Sequence, residues 1–213
     1  MKNELKKHGI KRQIKFLSNG VDLEKFYPKP VKKNGKTILH VGRISYEKNI
    51  DVLIKAFKLV LKKHPNAKLL IVGKGPDMNR LKKEAGSYLN KNIKFLGPVV
   101  HEKLIKVYSG VDIFATASTI ETEGLVILEA MACGLPIVGV NALAIPTIVK
   151  HGRNGFIAES KDLKEIANYI SVLLEKEELR NRFGKESLKI VKNFSLDSII
   201  EQLESIYYSL IRR

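Results

Sequence analysis

Residues 36–75 read KTILHVGRISYEKNIDVLIKAFKLVLKKHPNAKLLIVGKG, and this stretch determines the fold class. Its two ends, 36–43 and 67–75, are short and almost continuously apolar, as strands buried on both faces are. Asn49 or Asp51 is placed to cap an intervening helix. The apolar residues of that helix recur at helical spacing: Leu53, Phe57, Val60 and Leu61. The stretch therefore predicts one β–α–β unit with parallel strands.

The alternation of strand and helix continues along the chain. Further strands are predicted at 92–97, 111–118, 135–140 and within 148–159, and helices at 101–110 and 124–133. Two helices are predicted to close the chain, and the last is amphipathic, with apolar residues Leu196, Ile199, Ile200, Leu203, Ile206, Tyr207 and Leu210. Because such units need right-handed crossovers, we expect an α/β, Rossmann-like, doubly wound parallel sheet of about six strands.

The composition of the chain suggests where the domain begins and ends. Residues 1–35 are basic and then rich in turn formers and prolines, so we interpret them as a linker segment that enters the domain and lies outside its core. Residues 36–195 would form the Rossmann-like domain, and residues 196–213 a closing helix.

The net charge of +16 raises the question of an anionic partner. An aromatic content of 7% without tryptophan argues against nucleic acid. A solvated lysine-rich surface is the plain interpretation, and attraction to an anionic membrane surface stays open.

Two features that the sequence lacks, a membrane-spanning run and a signal peptide, bear on the cellular compartment. No apolar run approaches the roughly 18 residues that span a bilayer, and the N-terminus has no apolar signal stretch. Cys133 is the only cysteine, which excludes an internal disulfide or a cysteine-based metal cluster, and its apolar context predicts a buried thiol. We expect a cytoplasmic protein, with peripheral attachment to the inner face of the membrane as an option.

The loops that follow the strands are the places to search for a site, because ligands of such sheets bind beyond the carboxyl ends of the strands. After the first strand, Gly42 permits a sharp exit, and Arg43 and Lys48 are two cations that suit a diphosphate. An ordinary basic loop is the alternative. After the second strand, Gly73 and Gly75 lack the further residues of a phosphate-binding glycine loop, so they predict a tight turn.

The most specific segment is STIETEGLVILEAMACG at 118–134. Glu121 lies in a loop, and Glu129 follows eight residues later on an otherwise apolar helix. A carboxylate there is costly unless it finds donors, and ribose or sugar hydroxyls are suitable ones. The backbone amides of Gly124 and Leu125 stand at the N-terminus of this helix, where they could bind a phosphate or sugar oxygen. The alternative for Glu129 is a carboxylate satisfied by nearby backbone.

The run ETEGLVILEAMACGLP (121–136) resembles the E-x7-E motif of retaining glycosyltransferase family 4, which has the two-domain GT-B fold. Other segments resemble that family in the same order: SNGVDLEKFYP (18–28), HVGRISYEKNIDVLIKAF (40–57), LLIVGKGP (69–76), IKFLGPV (93–99), HGRNGFI (151–157) and FSLDSIIEQLESIY (194–207). The resemblance covers nearly the whole chain and assigns it to the C-terminal, nucleotide-sugar-binding domain.

The resemblance also implies a role for each site residue. Arg43 and Lys48 would hold the diphosphate of the donor, Glu129 the ribose and Glu121 the transferred sugar. The remaining contacts would come from backbone: Gly42, Gly124 and Leu125 around the phosphates and sugar, and Gly97 to Val99 against the nucleobase. No metal and no cofactor are expected, because the nucleotide-sugar is itself a substrate.

The intact enzyme would transfer a hexose from a UDP- or GDP-sugar to a hydroxyl, with a lipid among the candidate acceptors. The N-terminal domain that binds the acceptor is missing, so this chain should bind donor without being active. Two departures from the family pattern are Asn49, where glycine is common, and Thr147, which replaces an acid and leaves that loop's contacts in doubt. A stand-alone nucleotide-binding module is the alternative function.

Overall fold

The computed structural model describes residues 6–9, 11, 14–15, 17–31 and 33–211. Its strands are β1 (Thr37–Val41), β2 (Lys68–Val72), β3 (Ile93–Gly97), β4 (Ile113–Ala115), β5 (Ile137–Val140) and β6 (Gly155–Ala158). Its helices are α1 (Ile50–Lys63), α2 (Met78–Ala85), α3 (His101–Ser109), α4 (Leu125–Ala132), α5 (Ile145–Ile148), α6 (Leu163–Glu175), α7 (Glu177–Val191) and α8 (Leu196–Ile211).

The six strands form one parallel sheet in the order β3-β2-β1-β4-β5-β6. The chain builds outward from β1 to β3 and then returns to place β4 on the other side of β1. The topological switch point therefore lies between the carboxyl ends of β1 and β4, where ligands of doubly wound sheets bind. This topology confirms the predicted doubly wound parallel sheet.

The core forms because β1 is buried along its whole length and helices cover the sheet. Helix α1 packs against α6, and α4 packs against α7. Helix α1 begins directly after Asn49, whose backbone is left-handed at φ 50° and whose side chain makes no cap hydrogen bond. Asn49 is thus the N-cap residue, one of the two predicted, but its side-chain amide bonds between two loops and makes no capping hydrogen bond.

Three helices follow β6, where the sequence predicted two. Lys176 has an extended backbone that separates α6 from α7, and no proline or glycine marks the break. Arg180 compensates for the interruption, since its Nη1 donates to the carbonyls of Leu173 and Leu174 at 2.6 and 2.9 Å.

Part of the segment predicted to lie outside the core is buried within it. Val21 and Phe26 are 5% and 3% exposed, and both belong to the hydrophobic core. The Phe26 ring packs edge-on against His101 and Tyr108, at centroid distances of 4.9 and 6.0 Å. The linker expectation is wrong for these residues, because the chain folds back to place Phe26 on α3 and to pair Val21 with Ser195. The three domain boundaries themselves stay predictions.

Helix α8 leaves most of its apolar stripe uncovered. Ile199 is its buried residue, whereas Ile200, Tyr207 and Leu210 are 51%, 58% and 60% exposed. Cys133 is buried, as predicted, and burial raises the pKa of its thiol to about 12. Over the described residues, no helix combines the length and the apolar character needed to cross a membrane.

Candidate functional site

The loops after β1 and β4 meet at the switch point through an ion pair. Lys48 Nζ lies 2.7 Å from Glu121 Oε1, and the two side chains are only 17% and 12% exposed. The pair joins residues 73 positions apart in the sequence. Two residues singled out for separate reasons are therefore neighbours in space.

Further hydrogen bonds hold these loops together. The Asn49 side-chain amide donates to the Ala117 carbonyl at 3.3 Å and to Thr119 Oγ1 at 3.1 Å, which links the same two loops. The loop after β5 joins them, since the Ala144 amide donates to the Glu121 carbonyl at 3.0 Å. Asn49, a departure from the family pattern, thus has a structural role that the sequence did not reveal.

Thr147, the other departure, faces its own helix. Its Oγ1 donates to the Ala144 carbonyl at 2.6 Å, and the residue is exposed. This hydroxyl is therefore engaged locally in the structure.

A cleft of about 590 Å³ opens at the carboxyl ends of β1, β2 and β3. Three of the predicted site residues line it, Gly42, Arg43 and Val99, together with Pro76, Pro98, Leu104 and the backbone of the turn after β2. Gly97 lies one residue before this lining with a left-handed backbone, and its carbonyl accepts from the Gly73 amide at 2.9 Å. The lining is mostly apolar side chains and backbone, which suits a flat heterocycle more than a charged group.

Gly73 and Gly75 make a tight backbone contact with the loop after β1. A Cβ atom on Gly73 would lie 1.9 Å from the Gly42 carbonyl oxygen, and one on Gly75 would lie 2.0 Å from the Ile44 carbonyl oxygen. The Ile44 amide donates to the Lys74 carbonyl at 3.0 Å. The turn itself falls just after these glycines, at Pro76 and Asp77, and their role is to let two backbones touch.

Arg43 is the exposed cation at the rim of this cleft. Its guanidinium forms no ion pair or hydrogen bond with any residue in the described part of the chain. An exposed guanidinium beside a cleft is free to bind an anion bidentately.

Glu129 lies on α4 and is only partly exposed. Its Oε2 accepts a hydrogen bond from the Tyr108 hydroxyl at 2.8 Å. Burial raises the pKa of the Glu129 carboxyl, while the hydrogen bond from Tyr108 opposes that shift. The carboxylate is thus satisfied in part by a side chain, and not by backbone as the alternative interpretation held.

The first turn of α4 presents backbone amides. Gly124 precedes the helix with a left-handed backbone at φ 67°, and its carbonyl accepts from the amides of Ile127 and Leu128. Within the described residues, the amides of Gly124 and Leu125 donate to no backbone carbonyl outside regular secondary structure. Leu125 is 39% exposed, whereas Gly124 is buried.

The sequence interpretation missed His40, a buried titratable residue on β1. Its Nδ1 lies 3.1 Å from the Ala115 carbonyl oxygen, and burial lowers its pKa to about 4. The charges of Glu121 and Lys48 both act on this ring, in opposite directions. In the sequence, the signal for this buried residue was a histidine within the otherwise apolar run TILHV.

Residues 21–189 match the family model described as glycosyl transferases group 1. The chain belongs to this family. This group 1 glycosyltransferase chain spans about half the length of several curated relatives that it matches. One relative is the alpha-monoglucosyldiacylglycerol synthase of Streptococcus pneumoniae, 33% identical over 149 residues that cover 63% of this chain and 34% of that protein.

Two solved structures place the group 1 glycosyltransferase chain within its fold. The C-terminal domain of the group 1 glycosyl transferase LpcC from Francisella tularensis aligns with a TM-score of 0.75 and 27% identity, covering 82% of this chain and 97% of that one. Anabaena HepE, solved in complex with UDP-glucose, aligns with a TM-score of 0.80 and 25% identity, covering 92% and 57%. The chain is therefore a C-terminal GT-B domain, as the resemblance implied.

Proposed function

We propose that this chain is the donor-binding half of a retaining, family 4 glycosyltransferase that transfers a hexose from a UDP- or GDP-sugar to a hydroxyl acceptor. The observation that carries the proposal is the Lys48–Glu121 ion pair at the switch point of the sheet. Lys48 would be the cation for the phosphates and Glu121 the carboxylate for the sugar hydroxyls, and the pair holds them side by side. The chain that carries this pair belongs to a glycosyltransferase family.

The donor would lie across the carboxyl edge of the sheet. Its base would occupy the cleft near Gly97 to Val99, and Arg43 and Lys48 would hold the diphosphate. An ammonium group has three N–H donors, so Lys48 can keep its bond to Glu121 and still donate to phosphate oxygens. The solved UDP-glucose complex of HepE supports a nucleotide-sugar as the ligand class.

The two carboxylates would bind different parts of the donor. Glu121 would accept hydrogen bonds from hydroxyls of the transferred sugar, and Glu129 from those of the ribose. The backbone amides of Gly124 and Leu125 would bind a phosphate or sugar oxygen at the N-terminus of α4.

The chemical task of this half is to assist the departure of the nucleoside diphosphate. Negative charge grows on the leaving phosphate, and preorganised cations and helix amides stabilise it. Arg43, Lys48 and the N-terminus of α4 supply that stabilisation in this proposal. We therefore expect no divalent metal to be needed for donor binding.

The acceptor would be bound by an N-terminal domain outside residues 1–213, and we expect these residues alone to bind donor weakly and transfer nothing. A membrane lipid is one candidate acceptor. The name of the S. pneumoniae relative and the net charge of +16, which would favour an anionic membrane surface, support it. A cytoplasmic protein attached peripherally to the inner face of the membrane would fit such an acceptor.

Calorimetric titration tests the proposal with UDP, GDP, UDP-glucose and GDP-mannose, each with and without EDTA. We expect one nucleotide to bind at up to millimolar concentration, and EDTA to leave its affinity unchanged. Arg43→Gln should weaken binding about tenfold, through loss of a charged hydrogen bond. Arg182→Gln is the matched control, because Arg182 lies on α7, no residue of which lines the cleft. Absence of binding, or equal loss in both variants, contradicts the proposal.

A further inference from the structure

His40 is buried in the middle of the sheet, with 1% of its surface exposed. Its ring stacks on Phe114 at a centroid distance of 6.5 Å, and its Nδ1 lies 3.1 Å from the Ala115 carbonyl oxygen. A carbonyl oxygen can only accept a hydrogen bond, so Nδ1 carries the proton and donates it. The other ring nitrogen, Nε2, is consequently a bare acceptor.

Nε2 of His40 is buried and has no hydrogen-bond partner among the residues that the structure describes. Buried side-chain polar atoms almost always have a partner, so an unpartnered one needs an explanation. The ring cannot gain a partner by protonation near neutral pH, because burial lowers its pKa to about 4. A partner for Nε2 would therefore be a donor from outside this set of residues.

The surroundings of Nε2 indicate where such a donor would come from. A Cβ atom on Gly42 would lie 3.7 Å from Nε2, and this ring atom is its nearest neighbour beyond the adjacent residues. Gly42 also lines the cleft at the carboxyl end of β1. The missing side chain of Gly42 thus leaves a gap beside Nε2, at a residue that also lines the cleft.

The chemistry of Nε2 excludes the phosphates of the donor as its partner. A phosphate oxygen is an acceptor and cannot pair with a bare nitrogen lone pair, whereas a hydroxyl can donate to it. The His40 ring contacts the carbonyl of Ala115, the last residue of β4, and Glu121 lies in the loop that follows this strand. His40 thus stands at the end of the site proposed for the sugar.

We infer that His40 Nε2 accepts a hydrogen bond from a hydroxyl of the transferred sugar, through the gap at Gly42. The inference rests on the proposed function and adds a specificity-determining residue to it. Glu121 and His40 would then be two acceptors set against one sugar, and a sugar without a hydroxyl at the His40 position would bind less tightly.

Nitrogen NMR of the histidine rings tests this inference directly. In the free chain, His40 should show a protonated Nδ1 and an unprotonated Nε2. UDP-glucose or GDP-mannose, whichever binds, should move the Nε2 resonance toward the hydrogen-bonded range, and the matching free diphosphate should not. A protonated Nε2 in the free chain, or an unmoved Nε2 in the sugar-bound chain, overturns the inference.

Affinities of two variants give a second measurement. His40→Phe keeps an aromatic ring and removes the acceptor nitrogen. It should therefore weaken the binding of the nucleotide-sugar roughly three- to tenfold and leave the affinity for the free diphosphate unchanged. His40→Gln retains an acceptor oxygen and should stay close to wild type. Equal losses for both ligands in His40→Phe would overturn the inference. If His40→Phe does not fold, the ring-nitrogen NMR of wild type and the affinities of His40→Gln decide whether the inference holds.

The two proposals fail in different ways. If the wild-type chain binds no UDP- or GDP-sugar at millimolar concentration, the proposed function is wrong and the inference is overturned with it. If the sugar binds and only the His40 measurements disagree, the inference alone is overturned.

Discussion

The Glu129 carboxylate and the Tyr108 hydroxyl are joined by a hydrogen bond of 2.8 Å between α4 and α3. Glu121, in contrast, is paired with Lys48. The two carboxylates of the E-x7-E segment thus have different partners, one a neutral hydroxyl and one a cation. Substituting each of them should separate the two proposed roles.

Glu129→Gln should weaken the binding of the free nucleoside diphosphate and of the nucleotide-sugar by the same factor, because both ligands contain the ribose. Losing a charged hydrogen bond of this kind corresponds to a roughly ten- to hundredfold loss of affinity. The fold should survive, since Gln can still accept from Tyr108 and removes a charge whose burial is unfavourable. Titration calorimetry and thermal unfolding measure both effects. A variant that unfolds would favour a purely structural role for Glu129.

Glu121→Gln should distinguish the two ligands. The free diphosphate should bind nearly as before, whereas the sugar-bearing donor should bind roughly tenfold more weakly. In an enzyme restored with its N-terminal domain, turnover should fall too, because contacts to the transferred sugar orient it for attack. Equal losses for the two ligands would show that Glu121 does not contact the sugar.

The pKa of His40 predicts a pH-dependent stability. It falls from 6.5 to about 4 on folding, so the unfolded chain binds more protons than the folded chain between these values. The contribution of neutral His40 to the free energy of unfolding is fully present above pH 6.5. As the pH falls toward 4, up to about 3 kcal/mol of it is lost. Urea unfolding of wild type and His40→Gln at several pH values measures it. Parallel pH curves for the two proteins would contradict the prediction.

The uncovered stripe of α8 predicts self-association of this chain at high concentration. Exposed apolar surface on one helix face favours contact with another apolar surface. Leu203→Glu should reduce the association, and Gln202→Glu, which adds the same charge beside it on the helix, should not. Light scattering over a range of concentrations measures the mass. A strict monomer, or equal behaviour of the two variants, would contradict this prediction.

The fold was predictable because its β–α units carry strong apolar patterns. The run TILHV predicted a buried strand, and helix α1 begins at the residue after Asn49 as expected. The break at Lys176 was not predictable, because no proline or glycine marks it and a side chain from α7 satisfies the carbonyls it leaves. Burial of Val21 and Phe26 was also missed, since turn formers around them outweighed two apolar residues.

The site was predictable to the extent that motifs placed its residues at strand ends. The position of Arg43, Lys48 and Glu121 at one edge of the sheet was predicted in this way, because parallel strands bring their carboxyl ends together. The direct pairing of Lys48 with Glu121 depends on loop conformations that no spacing reveals. His40 was missed since a single polar residue in an apolar strand is usually structural.

The contact between the loops after β1 and β2 limits how the donor that we propose for this chain could be changed. The carbonyl oxygens of Gly42 and Ile44 occupy the space where side chains at 73 and 75 would stand. That wall of the cleft is backbone, so substitutions there would break the loops apart before they altered base preference. In the placement of the nucleobase that we propose, exchange of one base for another would have to proceed through other lining residues, such as Pro98, Val99 and Leu104.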